Sequence, residues 1–206
     1  AFCMRIHRWK RRFYILWAGQ TISLLTSSLV QYALLWHLTQ RTGSPAVLSL
    51  AGLMGFLPMA LLGPFTGSLA DRLPRRRIMI GADLFIAGAA LMLMLQGARG
   101  ELPIFLIYAA LFFRALGTAF HQPCLQAVTP QMVPREELNR CAGRSQALQS
   151  LSALASPALA AVLYAALPLH QVIGLDVLGA GAGVAAVLLA RIPPNPGAAG
   201  PGERVR

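Results

Sequence analysis

Acidic residues are scarce in this sequence: seven Asp and Glu stand against eighteen Lys and Arg over 206 residues, a formal net charge of +11. Charged residues of both signs make up only 12% of the chain and hydrophobic ones 56%. Soluble globular chains carry about twice that charged fraction, so the composition does not describe a soluble domain. Nucleic acid is not the partner of the excess positive charge, because the basic residues fall between apolar runs and no aromatics are interleaved with them. They read instead as topology determinants, with the anionic headgroups of a lipid bilayer as their nearest partners. Cysteine is equally sparse. Cys3, Cys124 and Cys141 form no C-x-x-C pair, which excludes a disulfide framework and leaves small, reduced packing residues.

Enzyme signatures are missing too. No G-x-x-x-x-G-K-[ST] loop is present to cradle a nucleotide, and no H-E-x-x-H helix to hold zinc, so neither metal nor cofactor is expected. Gly143-Arg144-Ser145-Gln146-Ala147 has the start of a nucleophile elbow without its second Gly or its strand-to-helix setting. An intramembrane serine hydrolase, with Ser145 as nucleophile and His121 or His170 as base, is therefore a distant alternative. The chain is not expected to be an enzyme.

What the chain has in quantity is long apolar runs. Six of them, at about 13–38, 46–70, 78–97, 103–126, 145–167 and 172–190, match the ~20 residues a helix needs to cross a hydrocarbon core. The expected fold class is an all-α integral membrane protein, a bundle of six transmembrane helices over residues 13–192. Residues 1–12 form a basic N-terminus before a retained signal anchor. Residues 193–206, rich in Pro and Gly, read as a disordered cytoplasmic tail or the start of a central linker. Pro130 to Arg144 reads as a second large loop on the basic side. With both termini cytoplasmic, fifteen basic residues lie inside, Arg41 and Arg99 outside, and Arg114 within a span. This asymmetry satisfies the positive-inside rule.

Polar residues inside the spans are informative because hydrocarbon cannot satisfy them. Gln20, Ser23, Ser27 and Gln31 recur at steps of three and four on one face of the first helix. Such a stripe serves either hydrogen bonding between helices or a water-filled cavity. Arg114 falls about 11 residues into the fourth span, about 16 Å along its axis and close to the bilayer midplane. A guanidinium there costs ~2.5 kcal/mol or more unless it faces a cavity or a partner. Thr118 and His121 continue its face. Asp83 and Asp176 are the only acids within the spans. Gly63 with Gly67 and Gly179 with Gly183 form G-x-x-x-G pairs that predict close helix packing. Trp9, Trp17 and Trp36 are placed as interfacial aromatics.

The charged stretch Gly67-Ser68-Leu69-Ala70-Asp71-Arg72-Leu73-Pro74-Arg75-Arg76-Arg77 resembles the loop signature G-x-L-A-D-R-x-G-R-[KR]-[KR] of the major facilitator superfamily. Pro74 stands where that signature has Gly. Arg114 to Phe120 is similar to the arginine and glycine signature of the family's fourth helix. The fifth-helix pattern G-x8-G-x3-G-P-x2-G-G of its antiporters is met by Gly143, Ser152, Ser156, Pro157, Ala160 and Ala161, small residues largely replacing glycine. The wording of the chain most resembles the macrolide-efflux and enterobactin-exporter branch.

The resemblance implies the N-terminal half of a twelve-helix secondary transporter. It would export a drug-like or amphipathic small molecule by alternating access, driven by the proton gradient. A metabolite such as a siderophore or sugar is the alternative cargo. Helices one and four would line the cavity through Gln20, Ser27, Gln31, Arg114 and Thr118. Gly67, Asp71, Arg72, Arg75, Arg76 and Arg77 would form a cytoplasmic gate. Asp83 and Asp176 are candidates for a charge or proton relay, although the family places helices three and six at the bundle's periphery. Implied partners are substrate, protons, lipid, and either a missing C-terminal six-helix half or a second half-size chain.

Overall fold

The computed structural model describes the backbone of residues 2–190 and 192, and the side chains of residues 9–69, 73–190 and 192. The expected tail over 193–206 and the side chains of Cys3, Asp71 and Arg72 lie outside the described residues. The regular elements are six helices: α1 (Phe2–Thr42), α2 (Pro45–Arg72), α3 (Arg75–Arg99), α4 (Ile104–Met132), α5 (Arg135–Ala166) and α6 (Leu169–Ala190). All six are long and apolar enough to cross a membrane, and the chain is a multi-pass membrane protein.

Proline sets the helix starts. Pro45 is the first residue of α2, and Pro74, Pro103, Pro134 and Pro168 immediately precede α3, α4, α5 and α6 or their first residue. A proline holds the residue before it extended and loses no hydrogen bond where the first turn's N–H groups are unpaired anyway. Gly43, at φ 58°, makes the one left-handed turn that separates α1 from α2. Pro58, Pro64, Pro123, Pro130 and Pro157 lie inside helices without ending them.

Two connections are much shorter than the charge pattern suggests. The basic stretch after Gly67 is not a loop: α2 continues to Arg72 and α3 begins at Arg75, with only Leu73 and Pro74 between them. The expected loop over 130–144 is likewise helix apart from Val133 and Pro134. Glu136 and Glu137 in the first turn of α5 favour its N-terminus through the helix dipole. The next residues contain no proline to stop it. Charge here marks where a helix leaves the apolar slab, which is different from where it ends.

α1 packs along α6 and α5, α4 along α2 and α3, and α3 against α6. The interior is layered. Near the Leu73 end, Leu16, Met79, Cys124, Val128 and Val187 form one apolar cluster. Near the Gly43 end, Val30, Leu34, Ala90, Leu93, Ile107 and Leu111 belong to a larger one. Between them lie buried Gln20, Asp83, Arg114, His121 and Asp176.

The tightest seam joins α1 to α6. A Cβ on Gly19 would strike Ala186, and one on Gly179 would strike the side chain of Thr26. A Cβ on Gly183 would come within 3.1 Å of both Asp83 Oδ2 and Ser23 Cβ. The second G-x-x-x-G pair therefore packs as expected. Gly63 and Gly67 do not: a Cβ at either meets nothing within 4 Å among the described residues. The wetter role of Trp17 also differs, since its indole Nε1 turns inward and donates to Ser145 Oγ at 2.9 Å because α5 extends far enough to meet it. Gly179→Val should lower the stability of the detergent-solubilised chain by at least about 1–3 kcal/mol through overpacking, with Gly63→Val close to neutral; thermal unfolding followed by intrinsic fluorescence checks both.

Candidate functional site

Arg114 is buried, at 4% exposure, and so is Asp176 at 1%. α4 and α6 bring them into a direct ion pair through Nη1 and Oδ2. α1 completes the arrangement: Arg114 Nη2 donates to the Ser27 carbonyl at 2.9 Å, and Ser27 Oγ donates to Asp176 Oδ1 at 2.8 Å. Three helices are thereby tied at one level, and both oxygens of the carboxylate are engaged. The cation that the sequence placed near the midplane is neutralised by the acid of α6, and the pair carries no net charge into the slab.

A second polar layer lies seven residues, about 10 Å, from the first along α4, toward the Leu73 end. Asp83 of α3 is 3% exposed. Its Oδ2 accepts from Gln20 Nε2 at 3.4 Å, and its Oδ1 lies 3.4 Å from His121 Nε2, within ion-pair range but not aligned as a hydrogen bond. Gln20 Nε2 also donates to the Gly183 carbonyl at 3.3 Å. That carbonyl can only accept, so it fixes which way the amide points. Gln20 Oε1 is left buried without a partner.

α1, α4 and α5 enclose a groove of about 570 Å³ beside these layers. It carries six side-chain amides, Gln20, Gln122, Gln126, Asn139, Gln146 and Gln149, and five hydroxyls, among apolar Trp17, Leu24, Leu125 and Leu148. Among the described residues, no ionisable one lines it. Such a lining offers donors and acceptors to an amphipathic molecule without binding either sign of charge. A second cavity of about 460 Å³ lies at the opposite end and is charged instead, lined by His37, Arg41, Glu101 and His170 among others; Arg41 and Glu101 pair there at 2.7 Å.

The residues singled out from sequence divide among these places. Gln20 reaches the groove. Ser27 and Arg114 belong to the ion-pair layer, and Thr118 Oγ1 bonds back to the Arg114 carbonyl at 2.9 Å. Gln31 Nε2 sits 3.0 Å from where a Cβ on Gly55 would be, so it packs on α2. The α1 stripe thus serves helix pairing over most of its length and a cavity only at Gln20. At the Leu73 end, Arg75 Nη1 donates to the Ala127 carbonyl at 3.0 Å, and Arg76 and Arg77 are exposed. In α5, Ser152 lines the groove, Ser156 is fully buried with an unpartnered hydroxyl, and Ala160 packs on Leu29, Ala33 and Val172. Pro157 is exposed and Ala161 half-buried.

Trp17, Gln122, Gln126, Gln146 and Gln149 were missed. The spacing rule that exposed the α1 stripe also covers Thr118, Gln122, Gln126 and Thr129, at steps of four, four and three, and Gln146, Gln149 and Ser152 at steps of three. Among the described residues no imidazole is bonded to Ser145: it accepts from Trp17 and donates to the Cys141 carbonyl, while His121 faces Asp83 and His170 lines the cavity at the other end. Neither base that the serine-hydrolase alternative named is bonded to Ser145.

Residues 9–201 match the family model described as transmembrane secretion effector. The chain is 50% identical to macrolide efflux protein A of Streptococcus pyogenes over 92% of its own length and 47% of the relative's. It is 52% identical to macrolide efflux protein A of Enterococcus faecalis over 73% of its length and 46% of the relative's. A Bacillus subtilis protein named as an uncharacterized transporter of the major facilitator type is 27% identical over 81% of the chain. The chain spans about half the length of the macrolide efflux proteins it matches. On these grounds the chain belongs to the major facilitator superfamily of transporters, within its macrolide-efflux branch.

Proposed function

We propose that this bundle is one half of a secondary transporter that exports macrolide-like amphipathic molecules across the bacterial inner membrane, with both termini cytoplasmic. The observation that carries the proposal is the groove between α1, α4 and α5. Its described lining is uncharged, rich in amides and hydroxyls, and bordered by indole and leucine surface. A macrolide presents the matching chemistry, a large ring with hydroxyls and carbonyls on an apolar body. The names of the two half-identical relatives point to the same cargo.

A single bundle leaves the groove open on one side, and transporters of this type set two repeats around a midplane site. A second six-helix bundle, from a C-terminal half or another half-size chain, would close it. The proposed cycle is alternating access driven by the proton gradient, and a latch is assigned to the stretch from Gly67 to Arg77. Arg75 already joins α3 to α4 there. A latch of exposed charges need contribute only a few kcal/mol to change which conformation dominates. For proton coupling the chain offers two buried acids, Asp83 and Asp176.

In bacteria expressing a full-length version, Gln122→Ala combined with Gln146→Ala should raise intracellular radiolabelled erythromycin several-fold over wild type while membrane levels stay normal. Unchanged accumulation would remove the groove from the transport path. Arg114→Ala should abolish export, and it leaves Asp176 a lone buried charge, a loss of about 3–5 kcal/mol. Arg114→Ala with Asp176→Ala should regain much of the stability but not the export, as read by thermal unfolding and efflux side by side. Asp71→Asn should slow turnover more than it weakens substrate binding, and an equal loss of both in binding and efflux assays would dismiss the latch.

A further inference from the structure

The two buried acids are held in opposite ways, and the difference separates their roles. Asp176 faces a permanent cation, and Ser27 occupies its second oxygen. A proton arriving there would have to break the pair and strand Arg114. Among the described residues, Asp83 is paired with no arginine or lysine. From α4 it meets His121 and from α1 the neutral Gln20, while a Cβ added to Gly183 of α6 would come within 3.1 Å of its Oδ2. Along the helices the nearest described fixed charges are the Arg114–Asp176 pair, seven residues away on α4 and α6, Arg75, Arg76 and Arg77 about two turns down α3, and exposed Arg12 about two turns from Gln20 on α1. A buried carboxylate and a buried imidazole with no other counter-charge reach neutrality only by sharing protons between themselves.

We infer that Asp83 and His121 together form the exchangeable proton site of this half, and that Gln20 is the positioning residue through which groove occupancy reaches it. The inference rests on the transport reading for the second clause alone. One proton lies either on Asp83 Oδ1 beside a neutral imidazole, or on His121 Nε2 beside a carboxylate. Both forms are neutral as a pair, and the bound proton comes from and returns to water. Gln20 is the link because it does three things at once. It is 2% exposed yet lines the groove, its Nε2 holds Asp83 Oδ2, and its Oε1 has no partner. A hydroxyl of a bound molecule donating to Oε1 would draw the amide toward the groove and lengthen its already long 3.4 Å contact with Asp83. The carboxylate then loses that donor, and the environment of the proton shared with His121 changes with occupancy of the groove. Gly183 confines this layer, since any side chain there would press on Asp83 Oδ2.

The test is infrared difference spectroscopy of the full chain in liposomes, titrated with acid and then exposed to erythromycin. A carboxylic-acid carbonyl band should appear on acidification, vanish in Asp83→Asn, shift in position in Asp83→Glu, and titrate at a displaced midpoint in His121→Gln. Asp176→Glu, which keeps the ion pair's charges, should leave it in place. Survival of the band in Asp83→Asn, or its shift in Asp176→Glu, would overturn the proton site whatever the chain exports. Erythromycin should change the band in wild type and in Gln20→Asn, but not in Gln20→Leu. An equal response in Gln20→Leu, or none in wild type, would overturn the role given to Gln20. A titrating Asp83 band in a full-length version that moves no erythromycin would retain the proton site and defeat the transport reading.

Discussion

The ion pair between Arg114 and Asp176 is the interaction around which this bundle is arranged. A lone guanidinium at the midplane is expensive, and so is a lone carboxylate, so the position of each dictates the other. Their meeting requires α4 and α6 to present these residues at one level, and Ser27 adds α1 through its carbonyl and hydroxyl. Polar contacts between membrane helices contribute only about 0.6 kcal/mol each on average. What makes this one dominant is the penalty for leaving either member unpaired.

The same constraint orders the rest of the interior. Hydrocarbon outside offers no hydrogen bonds, so every polar side chain in a span must look inward or toward the groove. The layers that result alternate: an apolar cluster around Leu34 and Leu111, the ion pair, the Asp83 and His121 layer, and a second apolar cluster around Leu16 and Met79. The α1 stripe shows the rule at work. Gln20, Ser23 and Ser27 turn toward α3 and α6, while Thr21 and Ser28, one step round the helix, face the groove.

How much was legible in the sequence follows from which physical signal each feature leaves. Six spans could be read because hydrophobic length is local, but α3 and α5 start earlier than the apolar runs did, at the residues following Pro74 and Pro134. Arg114 could be marked as needing a partner from its depth alone. The identity of that partner could not, since Asp176 is 62 residues away and only packing of α4 against α6 brings them together. The peripheral role assigned to α3 and α6 by family resemblance hid the inward aim of both acids. Charged stretches at 67–77 and 130–144 read as loops because charge signals water, and a helix that projects beyond the slab meets water while remaining a helix. The glutamines of α4 and α5 carried a readable period, but nothing in one helix tells that its stripe and those of two others converge.

The seam where Gly19, Gly179 and Gly183 let α1 and α6 touch bears on motion. Helices so close that backbone meets side chain cannot slide or roll past one another without collision, because the knobs are already seated in the only hollows available. α1 and α6 must therefore travel as one stiff plank, carrying Ser27 and Asp176 with them. Bending is left to elements held more loosely, and α2 and α5, each with only 11% of its most apolar window covered by the bundle, are the free limbs on which any rocking would turn.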